Sequence, residues 1–255
     1  MSVFAAYAKY YDLLYRDKDY VGEARYVADV LRHHGEGVRS ILELGCGSGI
    51  HAALLAQDGF DVHGVDLSEG MLMAAEKRRK EAPDAVATAL SFSAGDARTV
   101  RIEKKFDAVI SLFHVFSYQT SQDDLRAAFA TAKAHLRPGG ILLFDCWYGP
   151  AVLAIRPSIT VKRFEDDALA VTRIAEPVVD VNANTVKVEY DVIVTDKATG
   201  AVHRIAESHL MRYLFTPEVS AICESIGFEL LDAFEWLGDG PPSDSTWAAC
   251  FVARV

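Results

Sequence analysis

Short apolar runs alternate with longer amphipathic stretches through the first 150 residues. Val38–Leu44 is apolar and ends in Gly45, which predicts a buried strand. A helix is expected over His51–Gln57, and Phe60–Asp66 alternates as a second strand. Ser68 is placed to cap the next helix, which carries Met71, Leu72 and Ala75 on one face. Leu90–Ala94 reads as a third strand closing at Gly95-Asp96, and Phe106–Phe113 as a fourth. The helical period of Asp123–Leu136 stops at Arg137-Pro138-Gly139-Gly140, ahead of a fifth strand, Ile141–Trp147. Such alternation predicts an α/β fold with a parallel sheet and helices on both faces.

The pattern changes after Pro150. Val161–Phe164, Ala168–Ile174, Thr185–Thr195 and Val202–Phe215 read as strands, with turn chemistry at Asp180–Asn184 and Asp196–Gly200. They predict an antiparallel sheet over residues 151–215, inserted into a domain made of residues 1–150 and 216–255. Thr216 is expected to cap a helix that has Pro217 at its first position and ends at Gly227. Strands follow at Phe228–Trp236 and Thr246–Ala253, and Phe4–His34 holds tyrosine-rich helical segments.

Composition narrows the class. The 255 residues are 51% hydrophobic and 24% charged, which suits a packed core rather than disorder. A net charge of −10 disfavours nucleic acid as a partner. Cys46, Cys146, Cys223 and Cys250 form no Cys-x-x-Cys pair and have no histidine cluster at zinc spacing, so no metal site is expected. With no membrane-length apolar segment and no signal-like start, the expected location is cytoplasmic, with no membrane partner.

Glu43-Leu44-Gly45-Cys46-Gly47-Ser48-Gly49 lies between a strand and a helix, where glycines permit positive φ and close approach of a ligand. A plain strand–helix turn is the alternative. A dinucleotide fold would place its third glycine at position 50, which is Ile50. Asp66 ends the second strand at the distance where a carboxylate accepts hydrogen bonds from ribose hydroxyls. Asp96 ends the third, where it can accept from an adenine amino group. Either aspartate alone is as readily a cap or turn residue, but three successive strand ends together describe a nucleoside site.

On these residues the sequence resembles the class I S-adenosylmethionine (SAM)-dependent methyltransferases. Glu43–Gly49 is similar to their first motif, Val65-Asp66-Leu67-Ser68 to their ribose strand end and Gly95-Asp96-Ala97 to their adenine contact. Leu136-Arg137-Pro138-Gly139-Gly140 is similar to the turn before their fifth strand. The resemblance implies a Rossmann-like seven-stranded sheet with its last strand antiparallel. It places Gly45 and Gly47 beside the methionine part of SAM, with Glu43, Cys46 and Leu112 in the same site. Leu67 and Met71 would flank the adenine or serve as ordinary helix packing.

A narrower resemblance, to the N,N-dimethyltransferases of nucleotide-linked amino sugars, is carried by Tyr11-Asp12-Leu13-Leu14-Tyr15, by Lys18-Asp19-Tyr20 with Glu23-Ala24, and by Glu207-Ser208-His209 leading to Leu214-Phe215-Thr216. The chain departs from that group at Phe113–Tyr118, at Phe144–Pro150 and at Gly238–Pro242, all on the substrate side. The resemblance implies methyl transfer to a small-molecule amine, an insert that covers the acceptor site or forms an interface, and a possible homodimer. His114 is the candidate base and Tyr118 the positioning group, both following the fourth strand. Tyr15 and Tyr20 are candidates for closing over SAM, and Trp147 and Tyr148 for walling the acceptor pocket. For Glu207, His209 and Arg212, contact with the substrate is one reading and an exposed charged strand face the favoured one. O-methylation, a non-catalytic SAM-binding module and a nicotinamide dehydrogenase are the competing readings.

Overall fold

In the computed structural model, which describes residues 11–255, β1 (Ser40–Leu44) is buried along its whole length. Its alternation sends Ile41 into one apolar core and Leu42 and Leu44 into another. That double burial is what a parallel strand between two helical layers requires. β1 pairs in parallel with β2 (Asp61–Asp66) and β4 (Phe106–Ser111). Outside them lie β3 (Leu90–Ala94), parallel to β2, and β5 (Leu136–Tyr148), parallel to β4. β11 (Ala248–Arg254) runs antiparallel to β5, and β10 (Glu229–Glu235) antiparallel to β11. This is the expected sheet, with the last strand reversed.

One layer holds α2 (Tyr20–His34) and α3 (Ile50–Gln57), whose Val27, Leu31 and Leu55 meet Ile110, Leu143 and Val252 of the sheet. The opposite layer holds α6 (Gln122–His135) and α8 (Thr216–Ile226), whose Leu125, Phe129 and Ile222 pack on Val109, Phe144 and Phe251. α1 is the short helix Tyr11–Leu14, and α4 (Glu69–Glu81) is capped as expected by Ser68, whose hydroxyl accepts from the Met71 N–H at 3.4 Å. The part of the N-terminal expectation before Tyr11 lies outside the described residues. Among the described residues, no helix is long and apolar enough to cross a membrane.

Several boundaries differ from the sequence reading. Arg137-Pro138-Gly139-Gly140 lies inside β5 instead of preceding it, as a bulge where the register to β4 shifts. Pro138 cannot donate to a ladder, and Gly139 takes φ +78° while its N–H donates to Val255 O. Thr216 is the first residue of α8 and does not cap it; Phe215 holds the cap position, and the Thr216 hydroxyl bonds the Tyr148 hydroxyl at 3.2 Å. Two short helices carried too little periodicity to read: α5 (Asp84–Thr88) and α7 (Gly149–Ile155), the latter with Pro150 in its first turn.

Residues 160–214 form an antiparallel meander of β6 (Thr160–Glu165), β7 (Leu169–Asp180), β8 (Thr185–Asp196) and β9 (Val202–Leu214). The end of β9 pairs in parallel with the end of β5, Trp147 with Tyr213 and Tyr148 with Leu214, so meander and central sheet are continuous. Val171, Val192 and Val194 on its inner face pack with Leu13 and Leu14 of α1 and Met71 of α4. Arg212 adds a polar tie, donating to Thr120 O at 3.3 Å and Gln122 Oε1 at 2.9 Å. These contacts fix the meander above the strand ends.

Candidate active site

The loop between β1 and α3 is joined to β2 by two backbone bonds, from the N–H groups of Gly45 (2.8 Å) and Cys46 (3.0 Å) to Val65 O. Its three glycines have positive φ for different reasons. A Cβ on Gly45 would meet Val115 Cγ2 at 2.4 Å, and one on Gly49 would meet Phe92 Cζ at 2.9 Å. Both are required by the packing of the protein itself. Gly47, at φ +55°, has nothing within 4 Å of its Cβ position and faces an open cavity. Asp66 braces the loop, one oxygen accepting from the Gly47 N–H and the other from the Ser68 N–H, both at 2.8 Å. Burial raises its carboxyl above the usual range against the pull of these N–H groups. Behind the loop, burial and the nearby Asp66 charge push Glu43 up to about 8, and its Oε2 has no hydrogen-bond partner.

The cavity measures ≈ 380 Å³, within the range of small-ligand sites. The cofactor candidates and the two catalytic candidates all line it: Tyr15, Tyr20, Glu43, Gly45, Cys46, Gly47, Asp66, Leu67, Met71, Gly95, Asp96, Ala97, Leu112, His114 and Tyr118. Trp147 lines it too, whereas Tyr148 turns away to Thr216. Asp96 is not a free acceptor. Both its oxygens take the Arg98 guanidinium, which also bridges to Asp124 at 2.7 Å, and Arg98 holds the Asp96 carboxyl below its usual range. Tyr20 is held by a buried cluster in which Lys18 and His51 contact Glu23. Burial opposes ionisation of Glu23, but those two partners keep its carboxyl below the ordinary range.

Phe113 and His114 follow β4 with φ of +62° and +64°. Two consecutive non-glycine residues in the left-handed region are strained, on the order of 1–3 kcal/mol each. Asp145, fully buried on β5, offsets the strain: its two oxygens accept from the His114 N–H at 3.1 and 3.2 Å. Oδ2 also lies 2.5 Å from His114 Nδ1, an ion-pair contact off the ideal hydrogen-bond line. The carboxylate favours a proton on Nδ1 and leaves Nε2 as the acceptor. Tyr118 ends the 3₁₀ turn Val115–Tyr118, and its hydroxyl meets Nδ1 of His209 on β9 at 2.7 Å. Glu207, His209 and Arg212 are all buried, which overturns the expected exposed strand face. Among the described residues, no group of three or more His, Cys, Asp and Glu could hold a metal ion.

Residues 41–140 match the family model described as "Methyltransferase domain". Over 92% of its length the sequence is 32% identical to 93% of the Streptomyces venezuelae dTDP-3-amino-3,4,6-trideoxy-alpha-D-glucopyranose N,N-dimethyltransferase. The chain belongs to the class I SAM-dependent methyltransferases. Two solved structures extend the likeness. DesVI of Streptomyces venezuelae superposes with a TM-score of 0.80 and 28% identity, covering 96% of this chain and 97% of its own. SAM-bound CalS10, an amino pentose methyltransferase from Micromonospora echinaspora, gives 0.74 and 26%, covering 94% and 92%. The methyl donor of this methyltransferase is SAM.

The residues present fit that donor. SAM carries a sulfonium, and the cavity is walled by the carboxyls of Glu43 and Asp66, one with an orphaned buried oxygen. The open face of Gly47 leaves room that any side chain would fill. Two features of the methyltransferase escaped the sequence reading. Asp145 is an acidic residue in the otherwise apolar run Ile141–Trp147, a signal available in Phe144-Asp145-Cys146. Glu207 and His209 share the parity of Met211 and Tyr213, so strand alternation places all four on the buried face.

Proposed function

We propose that this methyltransferase transfers methyl groups to the amine nitrogen of a small molecule, an amino sugar carried on a nucleotide. The observation that carries the reading is His114 on the cavity wall with Asp145 buried behind it. The donor brings an activated methyl, so the protein supplies alignment, exclusion of water and a place for the proton. An amine must shed a proton near neutral pH to expose its lone pair, and an imidazole suits that task. A sugar hydroxyl would need a far stronger base. The N,N-dimethyltransferase activity of the Streptomyces venezuelae relative supports the same choice.

In this reading Asp66 receives the ribose hydroxyls through lone pairs left over from its two backbone bonds. Asp96, already paired with Arg98, accepts the adenine amino group. Tyr15, Tyr20, Leu67, Met71 and Leu112 close around the nucleoside, and β8 and β9 roof the acceptor side with Tyr190, His209 and Met211. Incubation with labelled SAM and a panel of dTDP-linked amino and hydroxy sugars tests the reading by mass spectrometry. Addition of one and then two methyl groups to the amino sugars is expected. Transfer to the hydroxy sugars alone would overturn it.

Two expectations concern the donor. Asp66→Ala should weaken SAM binding by roughly 1–3 kcal/mol, read by calorimetry, because charge-assisted bonds to the ribose disappear. An unchanged dissociation constant would remove Asp66 from that role. Glu43 makes binding pH-dependent. Its carboxyl sits at about 8 without ligand, and a cation nearby favours the ionised form. Binding therefore expels a proton near neutrality, and affinity rises with pH until it levels above about 8. Titrations in buffers of different ionisation enthalpy read the proton directly. Flat affinity from about pH 6 to about pH 9 would contradict this linkage.

A further inference from the structure

The meander contributes more than a roof. Nδ1 of His209 lies 2.7 Å from the Tyr118 hydroxyl, and its Nε2 lies 3.5 Å from Oε2 of Glu207. Glu207 is 6% exposed, and among the described residues neither of its carboxylate oxygens has a hydrogen-bond partner. Leaving a carboxylate buried without hydrogen bonds costs several kcal/mol in an ordinary fold. Such a group persists where a cation forms beside it. The cavity end of the row is open, since Tyr118 and His209 line it while Glu207 lies behind. Phenol, imidazole and carboxylate thus run in order from cavity wall to interior.

We infer that Tyr118, His209 and Glu207 form a proton outlet for the acceptor amine, with the phenol touching substrate and the two meander residues acting through it. This rests on the amine reading above. An N–H bond of the acceptor ammonium breaks, the proton goes to Tyr118 Oη, and the nitrogen keeps the electron pair. The phenol's own proton moves to His209 Nδ1, producing an imidazolium beside the Glu207 carboxylate. The nitrogen pair then forms the bond to the methyl carbon as the carbon–sulfur pair withdraws onto sulfur. Tyr118 is never a phenolate that persists: desolvation of its hydroxyl, then the neighbouring Tyr15, Tyr190 and Glu207, all hold its proton on. Among the described residues, the other groups facing this row are Tyr15 from the segment after α1, Tyr190 from β8 and Arg173 from β7, whose guanidinium lies over the rings of both tyrosines. His114, on the same cavity, gives a primary amine a second acceptor for its other N–H.

Three isosteric or near-isosteric variants separate a relay from a packing role. Tyr118→Phe, His209→Asn and Glu207→Gln should each lower kcat by about tenfold or more. SAM affinity should stay within about twofold, because none of the three is assigned to the donor. His209→Asn decides most, since its amide oxygen can keep the bond to Tyr118 but cannot take a proton. Wild-type turnover in that variant would overturn the relay. Glu207→Gln should also move the acid limb of the kcat profile to lower pH, because losing the carboxylate weakens the hold of His209 on a proton. An unmoved limb would overturn the part given to Glu207. An acceptor-free arm keeps this distinct from the amine reading. In ¹⁵N-histidine-labelled protein with S-adenosylhomocysteine, neutral His209 should carry its proton on Nε2. A proton on Nδ1 would overturn the relay whatever the substrate, whereas failure of every amine to be methylated would overturn the amine reading alone.

Discussion

Gly47→Val is expected to cripple SAM binding and to leave a folded protein. The substitution puts a branched side chain where, among the described residues, nothing beyond the adjoining chain lies within 4 Å, so the displaced space is the ligand's. A loss of roughly a hundredfold or more in affinity is expected, about 2.7 kcal/mol or more. Valine at φ +55° also costs about 1–2 kcal/mol of stability, whatever it displaces. Gly37 supplies the control. It has φ +64° and equally open space at its Cβ, but it does not line the cavity. Gly37→Val should lose similar stability in denaturant titration and keep its SAM affinity. Equal affinities in the two variants would mean that Gly47 does not face the donor. Gly45 and Gly49 would be poor substitutes for this test, because their Cβ positions collide with Val115 and Phe92 and a failure to bind would report misfolding.

His114→Asn should lower kcat by about 10²–10⁴ while leaving SAM affinity unchanged. Asparagine tolerates the left-handed backbone at φ +64°, so the loop survives, and its amide cannot accept a proton. Asp145→Asn should combine a smaller loss of kcat with lost stability. Its carboxylate holds both the His114 N–H and the ring Nδ1, and it sits fully buried among apolar neighbours on β5. Single-turnover rates with saturating SAM, measured beside thermal unfolding, separate the two effects. If His114→Asn turns over at the wild-type rate, the imidazole has no part in the proton transfer.

The donor side of this protein is legible in its sequence because backbone geometry dictates it. Positive φ in a tight strand–helix turn needs glycine, and strand ends of an open sheet converge on one edge, so Gly45–Gly49, Asp66 and Asp96 had to meet there. The partner of Asp96 was less visible, since Arg98 lies two residues on and turns back on it. The acceptor side depends on contacts distant in sequence. Tyr118 and His209 are 91 positions apart, and His114 and Asp145 are 31 apart. Charge on Glu207 and His209 suggested solvent, but the alternation of β9 outweighs residue type there, while Arg212, of the other parity, is buried by its bonds to Thr120 and Gln122. Arg137–Gly140 reads locally as a turn, yet the edge of β11 catches it as a bulge through Val255. Tertiary pairing settled these places, and local propensity did not.

A crystal structure with S-adenosylhomocysteine tests the central placement most directly. The expected density has its methionine end over Gly45–Gly47 with the ribose on Asp66, and the sulfur opens toward His114 and Tyr118. Ligand density bound elsewhere, or a sulfur turned away from those two side chains, would contradict it.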